Sequence, residues 1–404
     1  MEPQRTPPAD LVLARGTIER GHATMSVTSR LKLVISAPLR ISGTELPDNV
    51  LLMAKVITLA FISTGQFRLF SWHFLPFFRL FDRLGSPVAF HWTLVTVFLA
   101  AAMALFYNKH VRICCLVLGG VILISLLSSR AYFENNRTYC ACLLILAALC
   151  NRGQSPWPIR LQVVLVYFGA ALNKLLQQDW RSGQFFAYWF GEIHNPHLWS
   201  RVTAFVPAMP LAQFLCWATI VTELVLVVGF LVPSWYSWSI WLGAAYHTTL
   251  LLLMNSTFGM FYYAMLSSYL AFVDWPALPL QVRYDEARAP WGKARRLLER
   301  LDTAGIFEWK PLARNEKPEY SSRDLMVVDR GKSYWGFVAI KRVLLFTPVT
   351  YFSYVILLGR QPRLFQYHRW AAAGVLAFFT PFLSPLFGAG YQWIRKSRPS
   401  ASIS

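Results

Sequence analysis

Eight apolar runs divide the first 275 residues, at about 49–65, 87–107, 111–128, 138–150, 160–176, 211–232, 236–254 and 257–273. Most of them approach or reach the ~17–25 residues needed to cross a hydrocarbon core, and the short fourth run is completed by the preceding N-N-R-T segment. In lipid a backbone must satisfy its own hydrogen bonds, so runs of this kind are expected as helices. Charged residues make up only 15% of the chain and hydrophobic ones 55%, whereas soluble domains carry ~25% charge. The fold expected is an all-α polytopic membrane bundle of about eight spans.

Residues 1–47 form a polar leader with Pro, Arg and Glu where a cleavable signal peptide would have an apolar core. The leader carries Arg15, Arg20, Arg30, Lys32 and Arg40, and the segment after the last run is richer still in Lys and Arg. The positive-inside bias therefore places both ends in the cytoplasm, which eight spans allow. The expected location is a cell membrane of the bacterial inner-membrane kind, crossed repeatedly. On that topology Lys174 sits near the outer end of the fifth span. Between the first two runs, F-R-L-F-S-W-H-F-L-P-F-F-R-L-F-D-R-L-G suits a helix lying in the interface.

The formal net charge of +19 raises the question of nucleic acid, but its distribution argues for lipid. From Arg330 to Ser404 there are ten Lys or Arg and no Asp or Glu, interleaved with apolar stretches. Such a segment reads as basic helices apposed to anionic headgroups, and no nucleic-acid signature accompanies it. Residues 281–341 differ again, with thirteen basic and nine acidic residues. Helix-like K-A-R-R-L-L-E-R-L and strand-like D-L-M-V-V-D, ending in the turn R-G-K, predict a small α/β element of truncated thioredoxin-like length. The domains expected are thus 1–47, 48–276 and 281–398.

All six cysteines, Cys114, Cys115, Cys140, Cys142, Cys150 and Cys216, lie within or at the ends of apolar runs. They read as small packing residues rather than as a disulfide framework. His194 and His197 in E-I-H-N-P-H, with Glu192, have poor metal-ligand spacing because Pro196 separates them, and no metal is expected.

Three of the ionisable residues inside apolar runs, Lys174, His247 and Glu223, stand out as site candidates, since an unpaired ammonium at the centre of a bilayer costs at least ~2.5–3.5 kcal/mol. Lys174, in Y-F-G-A-A-L-N-K-L-L-Q-Q-D-W, can snorkel to the interface, pair with Asp179, or serve as a desolvated general base. His247, in A-A-Y-H-T-T-L-L-L-L-M-N-S, is either a cross-helix hydrogen-bonding group or part of a site. Glu223 is the only acid of its run, and a buried Lys174–Glu223 pair would account for both partners structurally. Asn135 and Asn136, in E-N-N-R-T-Y, read locally as a loop or helix cap.

Taken together, Y-F-G-A-A-L-N-K-L-L-Q-Q-D-W-R-S-G, E-N-N-R-T-Y and Y-H-T-T-L-L-L-L-M-N-S-T-F-G-M-F-Y-Y-A-M-L-S-S-Y-L-A-F-V-D-W-P resemble, in order, motifs of the vitamin K-dependent gamma-carboxylase family and its bacterial relatives, the horizontally transferred transmembrane (HTTM) proteins. The resemblance covers residues 48–276. It implies that Lys174 is the base that deprotonates a reduced quinone, the cofactor expected, and that His247 acts with it as a catalytic residue. Asn135, Asn136, Tyr167, Asn173, Asp179, Glu223 and Asn255 are then the candidate substrate-binding residues. Arg137 stands where the carboxylase has histidine, and the lumenal region that binds a propeptide has no recognisable counterpart. The expected activity is accordingly carboxylase-like or epoxidase-like oxidation of a quinol or lipid-like substrate.

A second resemblance joins V-R-Y-D-E-A-R-A-P-W-G-K-A-R-R-L-L-E-R-L-D to the DCC thiol-disulfide oxidoreductase family, which begins Y-D-G-D-C-x-x-C. Arg288 and Trp291 occupy the cysteine positions, so thiol exchange is expected to be absent. The rival reading of the whole chain is a non-catalytic maturation or immunity partner of a secreted peptide or toxin. A transporter is disfavoured because no inverted repeat is visible.

Overall fold

Prolines 87, 158 and 210 fall in the first turns of three long helices, where a missing N–H costs nothing. In the computed structural model, residues 37–194, 196–254, 259–276, 279–285, 289–302, 305–312 and 325–360 are described. From Ala37 onward they belong to one compact unit.

Helices stand at all eight apolar runs. They are α1 (Asp48–Ser63), α2 (Pro87–Phe106), α3 (Val111–Ser128), α4 (Asn135–Ala148), α5 (Trp157–Leu176), α6 (Ala208–Leu231), α7 (Tyr236–Met254) and α8 (Gly259–Ser268). Four of these, α2, α3, α5 and α6, are long and apolar enough to cross a membrane. The expected count of eight is therefore not met by length and composition alone. At 1.5 Å per residue, α1 and α4 reach only about 24 and 21 Å. The 19-residue α7 is long enough, but Ser237, Ser239, Tyr246, His247 and two threonines dilute its apolarity.

Burial follows position in the bundle. Helix α1 is covered on nearly every side and carries Lys55 at its centre, fully buried. Helices α3 and α4 approach so closely at Gly119 that a Cβ there would lie 2.8 Å from the Ala141 carbonyl oxygen. Five free cysteines line or border α3 and α4, a sixth, Cys216, lies in α6, and none is disulfide-bonded.

The expected interfacial helix at 67–85 is not continuous. Only a 3₁₀ turn at Gln66–Leu69 and a single helical turn at Arg79–Asp82 form. Ser71 and His73 adopt left-handed conformations, with φ of 53° and 55°, and Pro76 has no N–H to give. The stretch is pinned instead by backbone bonds from Phe77 N to Leu127 O (2.9 Å) and from Arg130 N to Leu75 O (3.0 Å). Trp72, Leu75, Phe78 and Leu80 remain exposed, an apolar fringe suited to the headgroup boundary.

After the bundle comes a four-stranded sheet of β1 (Leu280–Tyr284), β2 (Phe307–Pro311), β3 (Leu325–Asp329) and β4 (Lys332–Trp335), in the order β2-β1-β3-β4. Helix α9 (Ala289–Leu301) connects the parallel pair β1 and β2, while β3 runs antiparallel to β1 and to β4. Alternation sends Leu280, Val282 and Tyr284 into a core continuous with that of the helices.

Two further helices, α10 (Phe337–Phe346) and α11 (Pro348–Arg360), meet at a 75° bend. Pro348 sets that break, because it forces Thr347 out of helical geometry. One side of these helices packs on the bundle, where Tyr351, Phe352 and Val355 are buried, while Leu344 and Ile356 stay exposed on the other. Tyr354 bonds the Tyr262 hydroxyl at 2.5 Å. The remainder of that basic segment, 361–404, lies outside the described residues, as does the leader to residue 36.

Candidate functional site

Two turns of α5 separate Tyr167 from Lys174, so both project from one face of the helix. Thr219 and Glu223 of α6, Tyr246 and His247 of α7, and Phe261 of α8 face the same space. A lid of short helical segments, Gln178–Ser182, Gln184–Tyr188 and Trp189–His194, supplies Trp180, Phe185, Phe186 and Trp189. They line a half-open cavity of about 300 Å³.

Inside it Lys174 Nζ donates to both carboxylate oxygens of Glu223, at 2.8 and 2.9 Å. The Lys174 side chain is 15% exposed and that of Glu223 6%, so this pair is withdrawn from water. Tyr246 Oη donates to Glu223 Oε1 at 2.9 Å. Trp180 lies with its ring centroid 5.0 Å from the ammonium, within cation–π range. An ammonium, a carboxylate and a phenol thus share one hydrogen-bonded cluster, through which a proton can be redistributed without creating net charge.

The second polar cluster is uncharged. Tyr167 Oη and His247 Nε2 stand 2.8 Å apart, and the Tyr167 hydroxyl also meets that of Tyr269. Phe230 stacks on both tyrosine rings, at centroid distances of 5.9 and 5.3 Å. Close packing behind this cluster comes from Gly243, where a Cβ would fall 2.5 Å from Tyr269 Oη. A Gly243→Ala variant is therefore expected to displace the Tyr269 hydroxyl and lower stability by about 1–3 kcal/mol, read as a lower thermal midpoint in detergent.

Of the residues singled out from sequence, Lys174, His247, Tyr167 and Glu223 meet at this cavity. Of the others, those among the described residues do not line it. Asn135 and Asn136 sit at the start of α4, where Asn136 Oδ1 accepts from Arg137 N at 2.7 Å. Arg137 donates to Gln66 Oε1 at 3.0 Å and stacks over the Tyr132 ring, bracing the loop instead of facing the cavity. Asn173 is exposed and accepts from Gln177 Nε2 at 3.3 Å, being one residue, about 100°, around the helix from Lys174. Asp179 is also exposed, and the cation once open to it is held by Glu223. Asn255 and Arg288 lie outside the described residues. Among the described residues no group of three His, Cys, Asp or Glu is placed to hold a metal ion. His194 instead rests against Trp189, ring centroids 4.2 Å apart.

Sequence reasoning missed Tyr246, Tyr269 and the Trp180, Phe185 and Trp189 wall. Tyr246 immediately precedes His247, and that adjacency in α7 was the available signal. Comparison of the chain with protein-family models, curated proteins and solved structures finds no match.

Proposed function

We propose that this is an integral membrane protein of HTTM and gamma-carboxylase type whose cavity receives the ring of a hydroquinone or similar lipophile, with Lys174 as the proton-accepting base. The observation that carries the reading is the convergence of Lys174, Glu223, Tyr246, Tyr167 and His247 on one aromatic-walled cavity. A volume of about 300 Å³ is at the small end for ligand sites, which suits a ring and not an entire prenylated lipid. All eight helices α1–α8 cross the membrane in this reading, the shorter ones continued by the turns that flank them. The sheet order and its βαβ–ββα connectivity support a thioredoxin-like second unit.

A bound hydroquinone would supply an acidic phenolic hydroxyl. Glu223 takes the ammonium proton of Lys174, leaving a neutral amine facing the ligand. Tyr246 holds the carboxyl in place, while the aromatic lid keeps water from the amine. His247 and Tyr167 provide hydrogen bonds that orient a second oxygen of the ring.

The test is turnover of reduced naphthoquinone in the presence of dioxygen by the purified full-length protein. Lys174→Ala is expected to lower the rate by about 10²–10⁴-fold, and full retained turnover would overturn the reading. One observation favours the rival, a non-catalytic maturation or immunity partner: the two-oxygen grip of Glu223 is also how a purely structural lysine would be held. Failure of the wild-type protein to bind naphthoquinone in equilibrium dialysis would select it.

A further inference from the structure

A second cavity, of about 520 Å³, opens at the other end of α5, between the helices and the sheet. Its charged lining comprises Arg160, Arg330, Lys332 and Arg342 against Asp274 and Asp329, an excess of two positive charges. Arg330 pairs with Asp274, and Arg342 with Asp329 at 2.5 Å. That leaves Arg160 and Lys332 without a carboxylate partner among the described residues.

Arg160 is built into place. Its Nε donates to the Ala271 carbonyl at 2.8 Å, and its guanidinium lies 5.2 and 5.6 Å from the Tyr236 and Phe272 ring centroids. The terminal amino groups make no hydrogen bond to a described residue, so the planar fork is free toward the cavity. Arg342 Nε, also at the lining, is buried and makes none either. On the opposite wall the two-residue β3–β4 turn holds Arg330 and Gly331 at φ of 49° and 76°. Such a turn favours Asn or Gly at both positions, so an arginine there is a strained choice that points toward use.

We propose that this cavity binds a phosphate ester, with Arg160 and Lys332 as its anion ligands. Bidentate recognition by a fixed guanidinium, seconded by an ammonium, is the chemistry phosphate calls for. Location favours the headgroup of an anionic phospholipid as the source. Trp157, Trp235 and Trp238 stand exposed where α5 begins, α6 ends and α7 begins, an aromatic belt at headgroup level. Ile240, Leu345 and Phe346 give the cavity an apolar side for the first carbons of the acyl chains. The site lies apart from the Lys174 cavity and does not depend on its assignment.

The experiment is thermal unfolding of the full-length protein in non-ionic detergent, followed by tryptophan fluorescence, during titration with short-chain phosphatidylglycerol. Saturable stabilisation by several degrees is expected, with none from phosphatidylcholine. Arg160→Gln and Lys332→Gln are each expected to raise the half-saturating concentration about tenfold, whereas Arg201→Gln, at an exposed helix elsewhere, leaves it unchanged. Lys332 is exposed on the hairpin, so its variant folds even if that of Arg160 does not. Glycerol phosphate serves as the second ligand: competition by it assigns the site to a soluble phosphate ester, and its failure to compete assigns it to the lipid. Equal titration of the wild type and both variants, or equal stabilisation by phosphatidylcholine, overturns the proposal.

Discussion

A Lys55→Met variant is expected to lose about 3–5 kcal/mol of stability. Lys55 is fully buried in the middle of α1, and its Nζ donates to Pro38 O (3.0 Å), Arg40 O (2.6 Å) and Phe106 O (3.0 Å). An ammonium has three protons, and here each finds a carbonyl. The Phe106 carbonyl belongs to the last turn of α2 and has no intrahelical donor. Methionine fills the volume but leaves the Pro38 and Phe106 carbonyls dry, while Arg40 O keeps only Asn108 Nδ2 at 3.1 Å, so the tie between the entry of the chain into α1 and the end of α2 is weakened. Thermal midpoints in detergent measure this, with Lys109→Met, at an exposed position, as the control. A Lys55→Met protein melting with the wild type would show that the carbonyls find other donors.

Lys55 also marks the limit of what the amino-acid order conveys. M-A-K-V-I is as conspicuous as A-L-N-K-L-L, for both set an ammonium in an apolar run. The charge announces that a partner exists but does not say where along the chain. Lys174 has Asp179 five residues away and Glu223 forty-nine away, and the fold chose the distant one because α5 and α6 pack side by side. Helix positions were legible, since apolar runs in lipid have no other way to satisfy their backbone. Their lengths were less so: α1 and α4 end where turns and neighbouring helices, not hydropathy, terminate them. The 67–85 stretch has the composition of an interfacial helix, yet left-handed Ser71 and His73 follow from backbone pairing with residues near 127–130 that no local pattern encodes. At the cavity, the polar residues of α7 are spread around the helix with no preferred side, so nothing in its periodicity indicates that Tyr246 and His247 face Glu223 and Tyr167. The strand at D-L-M-V-V-D and the R-G turn that ends it, by contrast, were readable because a short apolar run closed by a glycine turn is a local signal.

Glu223→Leu alone is expected to cost about 3–5 kcal/mol, because it leaves the Lys174 ammonium in the aromatic cavity without its carboxylate; Lys174→Met alone is expected to do the same to Glu223. Together the two substitutions should cost far less than their sum, since the double variant buries no charge and fills the space with apolar atoms of similar volume. Only Tyr246 Oη then lacks its acceptor, at a cost of about 1–3 kcal/mol. Midpoints of the four proteins in the same detergent give the coupling, and strict additivity would show that Lys174 and Glu223 do not interact in solution. The double variant also separates the two roles that geometry alone leaves superimposed on Lys174. If the lysine only holds α5 to α6, a folded double variant retains whatever the wild type does. If it is the base, the same folded protein binds naphthoquinone through the Tyr167–His247 cluster and aromatic walls but no longer turns it over. Binding retained with turnover lost is the expected result, because no other amine among the described residues lines the cavity.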